Sequence, residues 1–97
     1  MSMSTDFQKL SEDELQKAVS GLAGWRLKDG KLQKEFEFKS FMAAFGFISQ
    51  VALQAHRINH HPDLFSSFKQ VNISLWTHSA GEATSKDIEL AQAIDRI

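Results

Sequence analysis

The stretch Trp25-Arg26-Leu27-Lys28-Asp29-Gly30-Lys31-Leu32-Gln33-Lys34-Glu35-Phe36-Glu37-Phe38 decides the fold. Trp25 and Leu27 alternate with Arg26 and Lys28. Beyond the turn, Leu32, Phe36 and Phe38 alternate with Gln33, Glu35 and Glu37. A period of two marks strands with one apolar face. Asp29-Gly30 between the runs is the strongest short signal for a type I′ hairpin turn. A hairpin with one apolar face needs a cover, and the flanking sequence supplies helices.

Upstream, Ser11-Glu12-Asp13-Glu14 has the serine and the glutamate three residues on that form a capping box. Leu15, Ala18, Val19 and Leu22 follow at helical spacing, so a helix is expected over about 11–22, with residues 1–10 frayed. Downstream, Ser40 is a plausible N-cap for a long helix over 41–58. Phe41, Ala44, Phe45, Phe47, Ile48, Val51, Ala52, Ala55 and Ile58 fill one broad face, suited to packing on a sheet. Met42, Gly46 and Leu53 form a second stripe. It reads either as incidental exposed apolar residues or as a helix contact between subunits.

Pro62 disfavours helical geometry at His61, so the helix should stop before His60-His61. Phe65 and Phe68 suggest a short extended segment. Val71, Ile73 and Leu75 then alternate with Asn72, Ser74 and Trp76, which predicts a strand over 69–77. Residues 79–83 contain Gly81 and read as a loop. Thr84-Ser85-Lys86-Asp87 repeats the capping pattern before the apolar positions Ile88, Leu90, Ala91, Ile94 and Ile97. Helix, hairpin, helix, extended segment and strand, helix is an α+β order, with an antiparallel sheet covered by helices.

Composition narrows the function. The 97 residues suit one domain over 1–97, and 11 Lys+Arg against 12 Asp+Glu leave a formal charge of −1. Direct nucleic-acid binding and a polybasic membrane surface lack the positive charge they need. There is no cysteine, which removes disulfides, Fe–S clusters, thiolate zinc sites and thiol catalysis. The longest apolar run, Phe41 to Ile48, is too short to span a bilayer. Residues 1–10 carry no leader-type apolar stretch, so a cytoplasmic location is expected.

The four histidines all lie between residues 56 and 78: His56, His60, His61 and His78. Three readings fit them. His56 and His60 are four apart and would share a helix face for metal binding if the helix persisted, but Pro62 argues against that and no HExxH glutamate is present. Acid–base catalysis without a cofactor is the second reading, because one imidazole can hold a proton while another accepts one. The third is a solvated His-His-Pro loop. Asp87 is explained equally well as a capping acid, and Trp25 and Trp76 as packing residues.

The chain resembles the pterin-4a-carbinolamine dehydratase family, also known as the dimerisation cofactor of a hepatocyte transcription factor. The resemblance is carried by Gly24-Trp25, Phe36 to Phe38, Phe45-Gly46-Phe47, Val51 to Ala55, His60-His61-Pro62, Thr77-His78 and Asp87-Ile88. It implies a four-stranded antiparallel sheet with three helices on one face, in the order α-β-β-α-β-β-α. The segment around Phe65 to Phe68 would then be a third strand. It also implies dimers, or tetramers in which the second helix makes the contact.

The implied reaction is loss of water from 4a-hydroxytetrahydropterin to give quinonoid dihydropterin, in tetrahydrobiopterin recycling beside an aromatic amino-acid hydroxylase. The leaving hydroxyl takes a proton and ring nitrogen N5 loses one, which is general acid–base work needing no metal or other cofactor. By resemblance, His61 and His78 transfer protons and His60 binds and polarises the hydroxylated pterin. Asp87, Trp25, Pro62, Ser74 and Thr77 are the substrate-binding candidates.

His56 and Asn59 stand where vertebrate members carry a glutamate and an aspartate, and Asp63-Leu64 departs from their acid-tryptophan pair. The family also contains a transcription coactivator and assembly factors for a carbon-fixing enzyme, so a protein-binding module is the competing function.

Overall fold

The hairpin turn forms as its residues require. In the computed structural model, which describes residues 7–97, Asp29 has φ 54° and Gly30 φ 78°. Both lie in the left-handed region that a type I′ turn needs. Strand β1 (Arg26–Lys28) therefore folds back on β2 (Lys31–Glu37), with Lys28 opposite Lys31.

Helix α1 (Glu12–Ser20) precedes the hairpin, and α2 (Phe41–Arg57) follows it. Strands β3 (Asp63–Ser67) and β4 (Gln70–Leu75) come next, and α3 (Ser85–Asp95) closes the order α-β-β-α-β-β-α. The sheet order is β1-β2-β4-β3, antiparallel throughout. The α+β class expected from the sequence and the four-stranded antiparallel sheet implied by the resemblance are what the structure has.

Register sorts the two sheet faces. Leu32 pairs with Leu75, Lys34 with Ile73 and Phe36 with Val71, and all lie on the helix-covered side. Leu32, Val71, Ile73 and Leu75 are fully buried there against Leu15, Val51, Leu90 and Ile94. Gln33, Ser74 and Asp63 form a row on the open side, beside Glu35, Asn72 and Phe65.

Both predicted capping boxes are present. The Ser11 hydroxyl accepts from the Glu14 N–H while the Glu14 carboxylate accepts from the Ser11 N–H, and Thr84 and Asp87 repeat the arrangement. Such caps satisfy backbone donors that the first helical turn leaves unpaired.

Three details differ from the sequence reading. First, Phe41 and Phe45 do not join the sheet-packing face of α2, which is narrower than expected: Ala44, Phe47, Val51 and Ala55 are buried in it, Ile48 and Ile58 pack partly buried against the core, and Ala52 is exposed. The excluded pair merges with Met42 and Leu53 into one outward apolar face, with Met42 82% exposed.

Second, β3 ends before Phe68, which sits at φ 54° in the two-residue turn to β4. Third, the frayed start was expected to include residues 7–10. The Gln8 N–H donates to the Ser85 hydroxyl at 2.8 Å and Leu10 packs against the core. The rest of that expectation, residues 1–6, lies outside the described residues.

The two ends of the fold are clasped around Trp25. Its ring is buried and meets Phe36 edge-on at 6.2 Å. Its indole N–H donates to both carboxylate oxygens of Asp95, at 3.0 and 3.1 Å. The Lys34 ammonium reaches the same carboxylate at 3.0 Å and the Ala23 carbonyl at 2.9 Å. Gly24, at φ 83°, leaves room for that lysine stem, since a Cβ there would come within 2.9 Å of Lys34 Cε.

Removing the Asp95 acceptor strands a buried donor, whereas removing Lys34 breaks a partly exposed ion pair and its bond to the Ala23 carbonyl. Asp95→Ala should therefore cost about 1–3 kcal/mol in urea unfolding, and Lys34→Ala less than about 1 kcal/mol. Equal losses would show that the ion pair, not the indole bond, holds α3 to the hairpin.

Candidate functional site

The end of α2 places the first two histidines. Ile58 caps the helix and Asn59 turns left-handed at φ 53°. The Asn59 N–H then donates to the His56 carbonyl at 3.1 Å, and the His60 N–H to the Ala55 carbonyl at 2.9 Å. This pair of bonds is a Schellman ending, with asparagine in the position that most often holds glycine. His60 is thereby thrown off the helix axis, and Pro62 follows to start the chain toward β3. His56 and His60 consequently do not share a helix face. Among the described residues, no group of three or more His, Asp or Glu side chains could hold a metal ion.

Asp87 fixes His60. It is the third residue of α3 and has no solvent exposure. Its Oδ2 accepts from the Thr84 N–H at 2.8 Å and the Thr77 hydroxyl at 2.8 Å, while Oδ1 lies 2.6 Å from Nε2 of His60. Because the Thr77 proton goes to Asp87, the Thr84 hydroxyl donates to Thr77 Oγ1 across 2.7 Å. With Asp87 as a carboxylate, which can only accept, Nε2 of His60 carries a hydrogen. Nδ1 is then the ring nitrogen that Asp87 does not engage. A buried carboxylate behind an imidazole sets both tautomer and ring orientation.

The third histidine comes from the loop after β4. The Thr77 N–H donates to the Glu82 carbonyl at 3.0 Å, and Gly81, at φ 75°, turns the chain back. The His78 ring stacks on Trp76 with centroids 4.0 Å apart. Trp76 is itself held: its indole N–H donates to Asp63 at 2.9 Å and the Lys31 ammonium lies 4.4 Å from its ring centre. The segment just beyond β4 thus turns Thr77 toward the interior and its neighbours Trp76 and His78 toward solvent, continuing the strand's alternation.

These elements enclose a cavity of about 390 Å³ that His60, His61, His78 and Thr77 line together. Exposure rises from the dyad outward: Asp87 is fully buried, the His60 side chain is 13% exposed, and His61 and His78 are open to solvent. The His56 ring centre lies 6.3 Å from that of His61, outside the cavity lining.

The other predicted substrate contacts are distributed differently. Asp87 lies behind His60 rather than on the cavity wall, because its oxygens are consumed by Thr77, Thr84 and His60. Pro62 adjoins the histidines without lining the cavity. Trp25 is a core residue bonded to Asp95. Ser74 opens onto a separate cleft on the open sheet face, inside β4 between its partners Gln33 and Asp63.

Phe7, Asn59, Trp76, Ser79 and Lys86 complete the histidine cavity. Of these, Asn59, Trp76, Ser79 and Lys86 were legible in principle, each sitting one residue from a predicted site position. Phe7 had no local signal.

Comparison with known proteins gives this cavity a context. Residues 8–97 match the family model described as pterin 4 alpha carbinolamine dehydratase. A Solibacter usitatus protein provisionally named pterin-4-alpha-carbinolamine dehydratase is 43% identical over 89 residues, covering 92% of this chain and 94% of that protein. A Brucella ovis protein of the same provisional name is 38% identical over 91 residues, covering 92% and 94%.

The crystal structure of a transcriptional coactivator/pterin dehydratase from Brucella melitensis superposes with a TM-score of 0.87 at 36% identity, over 92% of this chain and 97% of that one. A pterin dehydratase-like RuBisCO assembly factor of the alpha-carboxysome shares the fold, with a TM-score of 0.61 at 23% identity over 74% and 83%. A match that runs from the Gln8 anchor through all three cavity histidines and the buried Asp87 places this chain in the pterin 4 alpha carbinolamine dehydratase family.

Proposed function

We propose that the protein dehydrates 4a-hydroxytetrahydropterin to quinonoid dihydropterin and water, by histidine acid–base catalysis in tetrahydropterin recycling in the cytoplasm. The observation that carries this reading is the convergence of His60, His61 and His78 on one cavity, with His60 locked by the buried Asp87. The leaving 4a-hydroxyl must gain a proton as its carbon–oxygen bond breaks, and N5 must lose one as the new double bond forms. No net proton is consumed, so two imidazoles in opposite protonation states can run the step and exchange roles.

The exposed pair, His61 and His78, is suited to trading protons with substrate and solvent. His60, held by Asp87, is suited to binding and polarising the hydroxylated ring. Thr77 holds the carboxylate that holds His60. No helix among the described residues is long and apolar enough to cross a membrane.

The outward face of α2 supports self-association. Phe41, Met42, Phe45 and Leu53 are all more than half exposed on one side of one helix. A contiguous apolar face of this kind marks a contact surface. We assign it to a homodimer or homotetramer. The alternative is a protein-binding module with little catalysis, for which the same face would serve and which the double name of the Brucella melitensis neighbour brings forward.

Two measurements test these assignments. With chemically generated carbinolamine, in buffer with and without chelator, His61→Ala and His78→Ala should each lower the rate by about a hundredfold or more, with unchanged circular dichroism. Undiminished turnover in the double variant rules the mechanism out and leaves the binding-module reading. In sedimentation, a Phe45→Glu, Leu53→Glu variant should shift to a smaller species while keeping its helix content. An unchanged sedimentation coefficient removes α2 from the interface.

A further inference from the structure

We infer that Phe7 is a substrate-contacting wall of the histidine cavity, strapped in place by Gln8 and Ser85, and that it sets affinity for the pterin ring system rather than the rate of its chemistry. This rests on the dehydratase reading. The strap is a reciprocal pair of bonds: the Gln8 N–H donates to the Ser85 hydroxyl at 2.8 Å, and the Ser85 N–H donates to the Gln8 carbonyl at 3.0 Å. It joins residues 77 positions apart in sequence, and it lands on the first residue of α3, two before Asp87. An extended segment is thereby fixed next to the dyad, with Phe7 on the cavity wall beside the three histidines.

Among the described residues the cavity lining holds one phenylalanine and one tryptophan, and the tryptophan ring is already engaged. Trp76 is already stacked by His78 at 4.0 Å and approached by Lys31 at 4.4 Å. Phe7 has no aromatic or cationic ring partner among the described residues. A pterin ring system entering between the histidines meets apolar aromatic surface at Phe7.

A phenyl ring can neither donate nor accept the protons that the reaction moves. It holds ground state and transition state alike, which appears in KM and not in kcat. Ser85 is a positioning residue, acting only through the strap.

The test uses the full chain with Phe7→Ala, Phe7→Leu and Ser85→Ala. Each is assayed for carbinolamine turnover and, separately, for equilibrium binding of 7,8-dihydrobiopterin by calorimetry. Phe7→Ala should raise KM and Kd together by roughly threefold to tenfold, the range of an aromatic contact, with kcat unchanged. Phe7→Leu should recover part of the loss, and Ser85→Ala should raise both constants while Phe7 itself is intact.

An unchanged Kd in Phe7→Ala, or a fall in kcat at constant KM, overturns the inference. Wild-type protein that binds the pterin but does not turn over carbinolamine overturns the dehydratase reading instead, and the Kd series then decides Phe7 by itself. Wild-type protein that binds no pterin overturns both.

Discussion

A single buried carboxylate organises this molecule. Asp87 is fully buried, and three donors from three parts of the chain converge on it: the start of α3 through Thr84, the segment after β4 through Thr77, and the exit from α2 through His60. Burying a charge is costly unless hydrogen bonds replace its hydration. Here the replacement is complete, since no buried side-chain polar atom among the described residues lacks a partner. The same bonds cap a helix, seal the sheet's end and aim an imidazole. Structural and chemical duties cannot be separated at this residue.

Around that point the sheet divides the labour. Its covered side is hydrocarbon, continuous from Leu15 to Ile94. Its open side is polar, with Gln33, Ser74 and Asp63 in one row. The histidines belong to neither face. They lie at the end of the sheet, where connections rather than strands present side chains, which is where rigid scaffolds commonly place reactive groups. The stack of His78 on Trp76, and the bond from Trp76 to Asp63, carry that rigidity out to the rim.

The parts of the fold that the sequence announces are those governed by local chemistry. Asp29-Gly30, the two capping boxes and the alternation over Val71 to Leu75 each act through neighbours in the chain, so their effect is visible without the rest. The turn at Phe68-Lys69 is not announced, because a phenylalanine takes the left-handed position there and only the pairing of β3 with β4 imposes it.

The helical wheel of α2 shows apolar positions but not how many the sheet can reach, which is why Phe41 and Phe45 fall on the wrong side of the boundary. For the site, His-His-Pro and the acid of the second capping box stand out because their residue types are rare in combination. Phe7 does not, because its partner Ser85 lies at the far end of the chain. Trp25 and Trp76 look alike in sequence. Only tertiary contact separates the core residue from the cavity residue.

The clasp between Trp25 and Asp95 spans 70 positions, and it bears on how the protein is made. A chain emerging from the ribosome presents its early hairpin long before α3 exists. Until then the buried indole has no acceptor, the apolar side of the sheet lacks part of its cover, and His60 has no carboxylate behind it. Domains of this kind close as units, with long-range contacts formed late. The nascent chain therefore stays open, its hairpin and first two helices in need of shielding, until α3 arrives to complete core and cavity in one event.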